Sequence, residues 1–261
     1  MKDPFSLEGK VSVVTGGNGG IGKGIADGLA MKGSTVVVAA RDEGKTTGAV
    51  EDIRSRFGVQ ASGLSLDVRD QESIKSGIQK VLDQYGRIDV LVNNAGVNIR
   101  KMPQDYAADE WDTVMDTNLK GAFLCCQAVY PAMKKQGKGK IINTGSMTSL
   151  LGLGKAVPYG CSKMGILSMT YSLALAWARD NIFVNCILPG WIDTALTVTG
   201  RRDFPGLSEY VVEHTPMGRW GQPEDFMGPA AFLASDASDF INGEYLRVDG
   251  GWAQHGNTVS F

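Results

Sequence analysis

Short runs of β-branched residues alternate with longer amphipathic stretches along the whole 261-residue chain. Strands are predicted over residues 11–14, 35–40, 60–66, 88–92, 141–144, 183–188 and 244–248. Helices are predicted over residues 21–31, 43–57, 71–85 and 159–179, with another long helical stretch ending near Gln136. Repeated strand–helix–strand units form parallel sheets that carry helices on both faces and right-handed crossovers. The sequence therefore predicts an α/β fold with a doubly wound parallel sheet.

The composition limits both the number of domains and the class of partner. Apolar residues make up 43% of the chain, enough for a large core, and no low-complexity linker or internal repeat interrupts it. We therefore expect residues 1–261 to form a single domain. The net charge of -2 gives no electrostatic reason to bind nucleic acid or an anionic membrane surface.

The four cysteines have no CxxC spacing, and the only two histidines lie far from them in sequence. A disulfide framework or a metal site is therefore not expected, and unpaired thiols suit a reducing compartment. Residues 1–5 lack the apolar region of a secretory signal. No run approaches the ~18 apolar residues of a membrane span. We expect a soluble, cytoplasmic protein without a membrane partner.

A glycine-rich turn, Thr15-Gly16-Gly17-Asn18-Gly19-Gly20-Ile21-Gly22, follows the first predicted strand and opens the first predicted helix. Glycines at such a junction permit positive φ and a close approach to phosphates, and the helix N-terminus favours negative charge. In a chain with 34 glycines the cluster alone is weak evidence. Its position between strand and helix is what predicts a site for a dinucleotide pyrophosphate.

The second predicted strand indicates which dinucleotide binds. An acidic residue at its end would accept a hydrogen bond from a ribose 2′-hydroxyl, but the strand ends Ala39-Ala40-Arg41. Because a guanidinium suits a 2′-phosphate, NADP(H) is favoured over NAD(H). In the alternative, Asp42 or Glu43 reaches the ribose and the cofactor is NAD(H).

The third predicted strand ends at Asp67, followed by Val68. We assign this pair to the adenine end of the cofactor, with the Asp67 carboxylate bonded to the adenine amino group. Asp67 could instead be a cap of the helix that begins near Asp70.

Tyr159 and Lys163 lie four residues apart, which places them on one face of a helix. A free tyrosine has a pKa of about 10. A neighbouring ammonium and the positive ring of an oxidised nicotinamide would lower this pKa, so that the phenol can give or take a proton. Ser146, after the fifth strand, would hydrogen-bond the same substrate oxygen. A lone YxxxK is almost uninformative; Ser146 and the glycine turn give it meaning.

From about Leu7 to Trp252 the chain resembles the short-chain dehydrogenase/reductase family in its single-domain form. The motifs that carry the resemblance are the turn over 15–22, Asn93-Asn94-Ala95-Gly96, Asn118, Ser146, Tyr159 with Lys163, Pro189-Gly190, and Val248-Asp249-Gly250-Gly251. The resemblance implies a Rossmann-type sheet of seven strands in the order 3-2-1-4-5-6-7. It also implies a homotetramer, with helices equivalent to about 109–136 and 159–179 at one interface.

The resemblance also implies a role for each matching residue. Tyr159 would be the catalytic acid/base, Ser146 its partner on the substrate oxygen, and Lys163 the ligand of the nicotinamide ribose. Asn118 would brace a water in the proton relay. The implied cofactor contacts are Gly16, Asn18, Gly20, Ile21, Gly22, Asn94, Ala95, Gly96, Tyr159, Lys163, Pro189, Gly190, Ile192 and Thr194.

Two features depart from the common pattern of the family. Asn18 occupies a position that often carries Arg or Lys in relatives that use NADP. The tail over about 252–261 is longer than in many relatives, and it either docks on a neighbouring subunit or is a frayed terminus.

Substrate choice should come from the loops over 97–102, 147–157 and 191–220. The segment 191–223 is an irregular stretch, expected to act as a lid or else as a plain surface insertion. Cations in these loops could hold a carboxylate, as on a sugar acid, and this part resembles the branch with gluconate and deoxygluconate dehydrogenases. Solvated surface charges are the alternative. The candidate substrate residues are Asn98, Arg100, Met147, Leu153, Trp191 and Arg202.

The sequence therefore predicts an NADP(H)-dependent oxidoreductase that interconverts a ketone and a secondary alcohol. The substrate is a sugar acid, a polyol, or an alicyclic or aliphatic ketone. The first alternative is a 3-oxoacyl-thioester reductase, whose relatives share these motifs. A second, of another class, is an NADP(H)-binding sensor or scaffold without turnover, although such proteins usually lack the tyrosine or the lysine.

Overall fold

A computed structural model describes residues 3–257, and a seven-stranded parallel sheet forms its centre. The strands are β1 (Val11–Thr15), β2 (Thr35–Ala40), β3 (Ala61–Ser65), β4 (Val90–Asn93), β5 (Gly139–Thr144), β6 (Ile182–Pro189) and β7 (Tyr245–Val248). They lie in the order β3-β2-β1-β4-β5-β6-β7, and every neighbouring pair is parallel. The central strands are buried on both faces, which explains their continuous apolar sequences. The predicted Rossmann-type fold and its strand order are confirmed.

Helices cover both faces of this sheet. They are α1 (Gly20–Met31), α2 (Glu43–Phe57), α3 (Gln71–Tyr85), α4 (Ala108–Met115), α5 (Gly121–Gln136), α6 (Val157–Trp177), α7 (Ala195–Asp203), α8 (Leu207–His214) and α9 (Met227–Ala234). One core layer includes Ile25 and Leu29 of α1 with Leu233 of α9. The layer on the opposite face includes Ile78 of α3 and Val129 of α5.

The predicted long helical stretch that ends at Gln136 consists of α4 and α5 joined by a π-helical turn, Asp116–Lys120. Such a turn inserts an extra residue into the helical ladder, and it occurs often at functional sites. Here its residues Thr117 and Asn118 are buried.

The expectation that 191–223 is irregular is wrong, because α7 and α8 occupy much of it and a 3₁₀ turn begins at Pro223. Both helices are short, and Pro205 and Gly206 between them interrupt any periodic pattern. Helix α9 was also not predicted. It is apolar around its whole circumference, so it lacks the amphipathic period on which a sequence prediction depends.

Three further predictions concern cysteines, membrane and tail. Within residues 3–257 all four cysteines are free thiols, and only Cys161 is exposed. No helix in this part of the chain combines the length and apolarity that a membrane crossing requires. A 3₁₀ segment covers Trp252–Asn257, and the remainder of the predicted tail lies outside the described residues.

Candidate active site

A cleft of about 420 Å³ opens where the carboxyl ends of β1, β4, β5 and β6 meet. This edge is where ligands bind in open parallel α/β sheets. The predicted site residues that line the cleft are Gly16, Asn18, Gly20, Ile21, Asn94, Ala95, Gly96, Asn98, Arg100, Ser146, Met147, Leu153, Tyr159, Lys163, Pro189, Gly190, Trp191, Ile192 and Thr194. The structure thus brings together predicted residues that lie up to 178 positions apart in sequence, from Gly16 to Thr194.

The glycine turn has the backbone conformation that its sequence predicts. Gly16 and Gly20 have φ of +65° and +51°, a region that favours glycine. Gly22 does not line the cleft. A Cβ on Gly22 would lie 2.2 Å from the carbonyl oxygen of Gly16, so Gly22 lets α1 pack closely against the turn.

Thr15 joins this turn to the end of β4. Its hydroxyl donates to the carbonyl of Val92 (3.2 Å) and accepts from the backbone amides of Asn94 (3.0 Å) and Ala95 (3.1 Å). The Asn94 amide group donates to the carbonyl of Gly16 (3.2 Å). These bonds fix the two segments that form one wall of the cleft.

Asp67 and Val68 do not line the cleft, and the structure gives Asp67 another partner. Its carboxylate accepts from the guanidinium of Arg69 (2.6 Å). This hydrogen bond lowers the pKa of Asp67 to about 2. The alternative role as a helix cap is wrong, because Asp70 caps α3 by accepting from the amide of Glu72 (2.9 Å); the assignment of Asp67 to the adenine end stays a prediction.

Arg41 lies directly after β2, is exposed, and is not among the residues that line the cleft. The next residue, Asp42, caps α2: its carboxylate accepts from the amide of Lys45 (3.0 Å). This hydrogen bond is the main cause that lowers the pKa of Asp42. Of the two carboxylates that the NAD(H) alternative names, Asp42 is therefore engaged as the cap of α2, whereas Glu43 is exposed in its first turn.

The three residues predicted to transfer the proton, Ser146, Tyr159 and Lys163, all line the cleft. The hydroxyl of Ser146 accepts from the amide of Thr148 (3.1 Å). The ammonium of Lys163 lies 5.6 Å from the centre of the Tyr159 ring. It donates to the carbonyl of Thr144 (2.7 Å), so the end of β5 positions the lysine.

The electrostatics of this group differ in one respect from the prediction. Burial raises the pKa of Tyr159 above its usual value, although the Ser146 hydroxyl and the Arg100 charge act in the opposite direction. Burial also lowers the pKa of Lys163 to about 8. The expected lowering of the tyrosine pKa by Lys163 is therefore absent in the protein alone. At neutral pH Tyr159 is a neutral phenol, which is the form that can donate a proton.

Asn118 does not line the cleft, and its amide group bonds to two neighbouring elements. Its Oδ1 accepts from the amide of Val97 (2.8 Å), and its Nδ2 donates to the carbonyl of Val97 (2.9 Å) and to Ser162 Oγ (3.1 Å). Both N–H groups are used, so the predicted role of Asn118 in bracing a relay water, which stays a prediction, would need a lone pair of Oδ1 or the backbone. Its structural role is to join the loop after β4 to α6.

The charged residues among the described lining are Lys45, Arg100 and Lys163, and no carboxylate is among them. Lys101 is paired with Glu110 (2.6 Å), whereas Arg100 has no acidic partner among the described side chains. Within residues 3–257 there is also no group of three or more His, Cys, Asp or Glu side chains that could hold a metal ion. The cleft thus favours anionic ligands.

Arg202, the other predicted substrate cation, is exposed and does not line the cleft. Helix α7 faces the cleft with its first turn, so Arg202 in its last turn lies too far along the helix. Its neighbour Arg201 pairs with Asp193, and its guanidinium lies 4.6 Å from the centre of the Trp220 ring.

The cleft is also lined by residues that the sequence analysis did not single out, although several lie in its glycine turn or its substrate loops: Gly19, Lys45, Thr144, Gly145, Thr148, Leu151, Gly152, Ala195, Leu196, Thr197 and Trp252. The position of Lys45 could have been predicted, since it lies in the first turn of α2, which begins directly after the cap Asp42 and near the glycine turn. Trp252 packs edge-on against Trp191, with ring centres 6.3 Å apart. Only the fold brings these two aromatic residues together.

Comparison with known proteins places this geometry in context. A family model described as enoyl-(acyl carrier protein) reductase matches residues 16–253. A 2-dehydro-3-deoxy-D-gluconate 5-dehydrogenase from Pseudoalteromonas atlantica is 40% identical, covering 97% of this chain and 99% of its own length. A 3-oxoacyl-[acyl-carrier-protein] reductase from Aquifex aeolicus is 35% identical, covering 95% and 98%.

Among solved structures, a gluconate 5-dehydrogenase from Burkholderia cenocepacia in complex with NADP and tartrate superimposes with a TM-score of 0.91. It is 37% identical and covers 97% of this chain and 98% of its own. The sheet order, the glycine turn and the Ser146–Tyr159–Lys163 group of this chain accord with these matches, which extend over nearly its full length. The chain belongs to the short-chain dehydrogenase/reductase family.

Proposed function

We propose that this oxidoreductase is an NADP(H)-dependent dehydrogenase of sugar acids, interconverting a keto group and a secondary alcohol on a gluconate-type chain. Carbonyl–alcohol interconversion is the chemistry of its family. The observation that supports a carboxylated substrate is Arg100, a guanidinium without an acidic partner among the described side chains. It lines the same cleft as Ser146 and Tyr159.

The chemistry assigned to the protein is proton transfer. A bound nicotinamide supplies or accepts the hydride. The neutral phenol of Tyr159 donates its proton to the oxygen of the reduced carbonyl, and Ser146 holds that oxygen by a hydrogen bond. Lys163, anchored on the carbonyl of Thr144 (2.7 Å), would bind the nicotinamide ribose.

Arg100 is suited to the other end of the substrate. A guanidinium binds a carboxylate with two parallel hydrogen bonds, which fixes its orientation as well as its position. Arg100 approaches helix α7: a Cβ built on Gly200 would lie 3.3 Å from its terminal nitrogen. A carboxylate bound there would lie between the loop after β4 and α7. The names of the Pseudoalteromonas and Burkholderia relatives agree with such a substrate.

Preference for NADP(H) is part of the proposal. Arg41 follows β2 where a 2′-phosphate would lie, and Asp42 is engaged as the cap of α2. The Burkholderia relative was crystallised with NADP. Replacement of Arg41 by Asp should weaken NADPH binding far more than NADH binding. Equal losses for the two cofactors would contradict the role of Arg41.

The test of the substrate class is Arg100→Met, assayed on a keto derivative of gluconate and on a neutral ketose of the same length. Loss of a charge-assisted pair should lower kcat/KM on the acid by about 30- to 150-fold, corresponding to ~2–3 kcal/mol. The value on the ketose should stay nearly unchanged. Lys101→Met is the matched control, since that cation is paired with Glu110. Equal losses on acid and ketose would contradict a carboxylate site at Arg100.

A second candidate is reduction of 3-oxoacyl thioesters. Leu151 and Leu153 line the cleft and remain substantially exposed, which would suit an acyl chain, and the Aquifex relative is named for this reaction. Comparison of kcat/KM on the keto sugar acid and on an acetoacetyl thioester separates the two. A sensor or scaffold without turnover is disfavoured, because Tyr159 and Lys163 are both present in the cleft.

A further inference from the structure

Lys45 is a cation of the cleft that the catalytic proposal does not use. It extends from the first turn of α2 and lines the cleft together with Asn18 and Gly19 of the glycine turn. The other two cations of the lining, Arg100 and Lys163, belong to the substrate and nicotinamide regions. Lys45 therefore places positive charge at the opposite, adenosine end.

Asn18 has no free donor for a ligand at this end. One N–H of its amide points to Thr46 Oγ1 (3.2 Å) and the other to the carbonyl of Asp42 (3.4 Å). Because an amide has only two N–H donors, both are used to join the glycine turn to α2. Asn18 is thus a neutral residue whose donors are fully engaged within the protein.

The same contacts place Lys45 close to the neutral side chain of Asn18. Thr46, the partner of Asn18, is the next residue in α2. The ammonium of Lys45 lies 3.6 Å from the Asp42 carboxylate, and the Lys45 side chain is 75% exposed. It is thus lightly held and accessible to an anion. Arg41 precedes Asp42 directly, so two cations flank the end of β2.

We infer that Lys45 is the second cation, with Arg41, for the 2′-phosphate of NADP(H), and that it replaces from α2 the charge that Asn18 lacks. This inference rests on the proposed preference for NADP(H). A phosphate dianion bound by two cations gains charge-assisted hydrogen bonds that a bare 2′-hydroxyl cannot make. Lys45 would then determine cofactor choice without contributing to the reaction.

The test uses the adenosine half of the cofactor and measures binding rather than activity. Isothermal titration calorimetry compares 2′,5′-ADP, which carries the 2′-phosphate, with 5′-AMP, which lacks it. Lys45→Met should weaken binding of 2′,5′-ADP about tenfold, a typical loss for one hydrogen bond between charged groups, and leave 5′-AMP almost unaffected. Its binding of 2′,5′-ADP should also depend less on salt than in the unmodified protein.

Lys75→Met is the matched control. Lys75 also lies in the first turns of a helix, is exposed, and pairs with the acid three residues before it (Glu72, 2.8 Å), but it does not line the cleft. It should leave both affinities unchanged. Equal weakening of 2′,5′-ADP and 5′-AMP by Lys45→Met, or no weakening of either, would overturn the role of Lys45.

The binding data also distinguish failure of the Lys45 inference from failure of the proposed preference for NADP(H). If the unmodified protein binds 5′-AMP as tightly as 2′,5′-ADP, then the preference for NADP(H) is wrong, and the role of Lys45 falls with it. If the unmodified protein prefers 2′,5′-ADP and Lys45→Met keeps that preference in full, only the inference on Lys45 is wrong.

Discussion

Lys163 is a buried cation, 5% exposed, at the centre of the proposed catalytic group. Its pKa of about 8 in the folded protein lies below the ~10.4 of an unfolded lysine, so the folded state holds this proton more weakly. Burial of the charged lysine therefore lowers the free energy of unfolding by its full amount below pH 8. This effect decreases between pH 8 and about 10.4 and is absent above. A residue that the reaction requires thus lowers stability at neutral pH, as functional sites often do.

Lys163→Met should make this cost measurable. The free energy of unfolding of the variant minus that of the unmodified protein should decrease by about 3 kcal/mol between pH 7 and pH 10.5, as followed by urea denaturation. The bond lost at the Thr144 carbonyl adds a term that does not depend on pH. A constant difference for Lys163→Met would mean that burial does not shift the lysine.

Tyr159→Phe removes the proton donor and keeps the ring. Because general acid catalysis contributes about 10²- to 10⁴-fold, kcat for ketone reduction should fall by that factor in steady-state assays. Binding of 2′,5′-ADP, measured by calorimetry, should stay unchanged, since the site proposed for it, around Lys45, does not include Tyr159. Retention of nearly full reductase activity would refute the assignment of Tyr159.

At the scale of elements, Gly24 of α1 lies where the helix packs closely against a neighbouring segment, and Gly48 of α2 serves as its control. A Cβ on Gly24 would lie 1.9 Å from the carbonyl oxygen of Pro223, whereas a Cβ on Gly48 of α2 would have no heavy atom within 4 Å. Gly24→Ala should therefore destabilise the protein by about 1–3 kcal/mol. Gly48→Ala should stabilise it by about 0.5–1 kcal/mol. Urea denaturation of both variants checks this; equal effects would contradict the packing at Gly24.

The elements that could be predicted from the sequence were those with strong local signals. Helices α2 and α3 begin at the caps Asp42 and Asp70 and end before glycines with positive φ, Gly58 and Gly86. The π-helical turn at Asn118 could not be predicted, because it depends on contacts with Val97 and Ser162 from other elements. Asn118 was recognised by its motif, but its hydrogen bonds could be seen only in the fold.

The residues of the site likewise fall into those that could be predicted from the sequence and those that could not. The glycine turn, Tyr159 and Lys163 carry fixed spacings that chemistry requires, so they could be identified from the sequence. Arg100 and Arg202 are alike as sequence features, and only the direction of α7 shows that Arg100 alone faces the cleft. Whether a cation faces a cleft or solvent depends on tertiary geometry rather than on local composition.

For the whole molecule, the predicted homotetramer stays a proposal, and helix α6 suggests where copies would meet. One face of α6 buries Ile166 and Leu173 in the core, while the other exposes Met164, Tyr171 and Leu175, the last at 83%. A helix that is apolar on both sides usually has a partner on each. We expect a second copy of this chain on the exposed face.

Light scattering should therefore give a mass about four times the 27.9 kDa of one chain, in accordance with closed symmetric assembly. Leu175→Glu should yield smaller species, because it introduces a charge into the expected interface. Met31→Glu, at an exposed apolar residue of α1, should leave the mass unchanged. A monomeric unmodified protein would rule out the tetramer.

The clamp between Asn118 and Val97 has a consequence for how substrate range can change in this enzyme. Both backbone groups of Val97 are hydrogen-bonded to the Asn118 amide, which also bonds to Ser162 of α6, the helix that carries Tyr159 and Lys163. The loop beyond this anchor, which carries Arg100, can therefore diverge in sequence while proton transfer is preserved. New specificities should arise by changes after Val97, and exchange of Val97 for proline, which has no N–H, should impair every substrate alike.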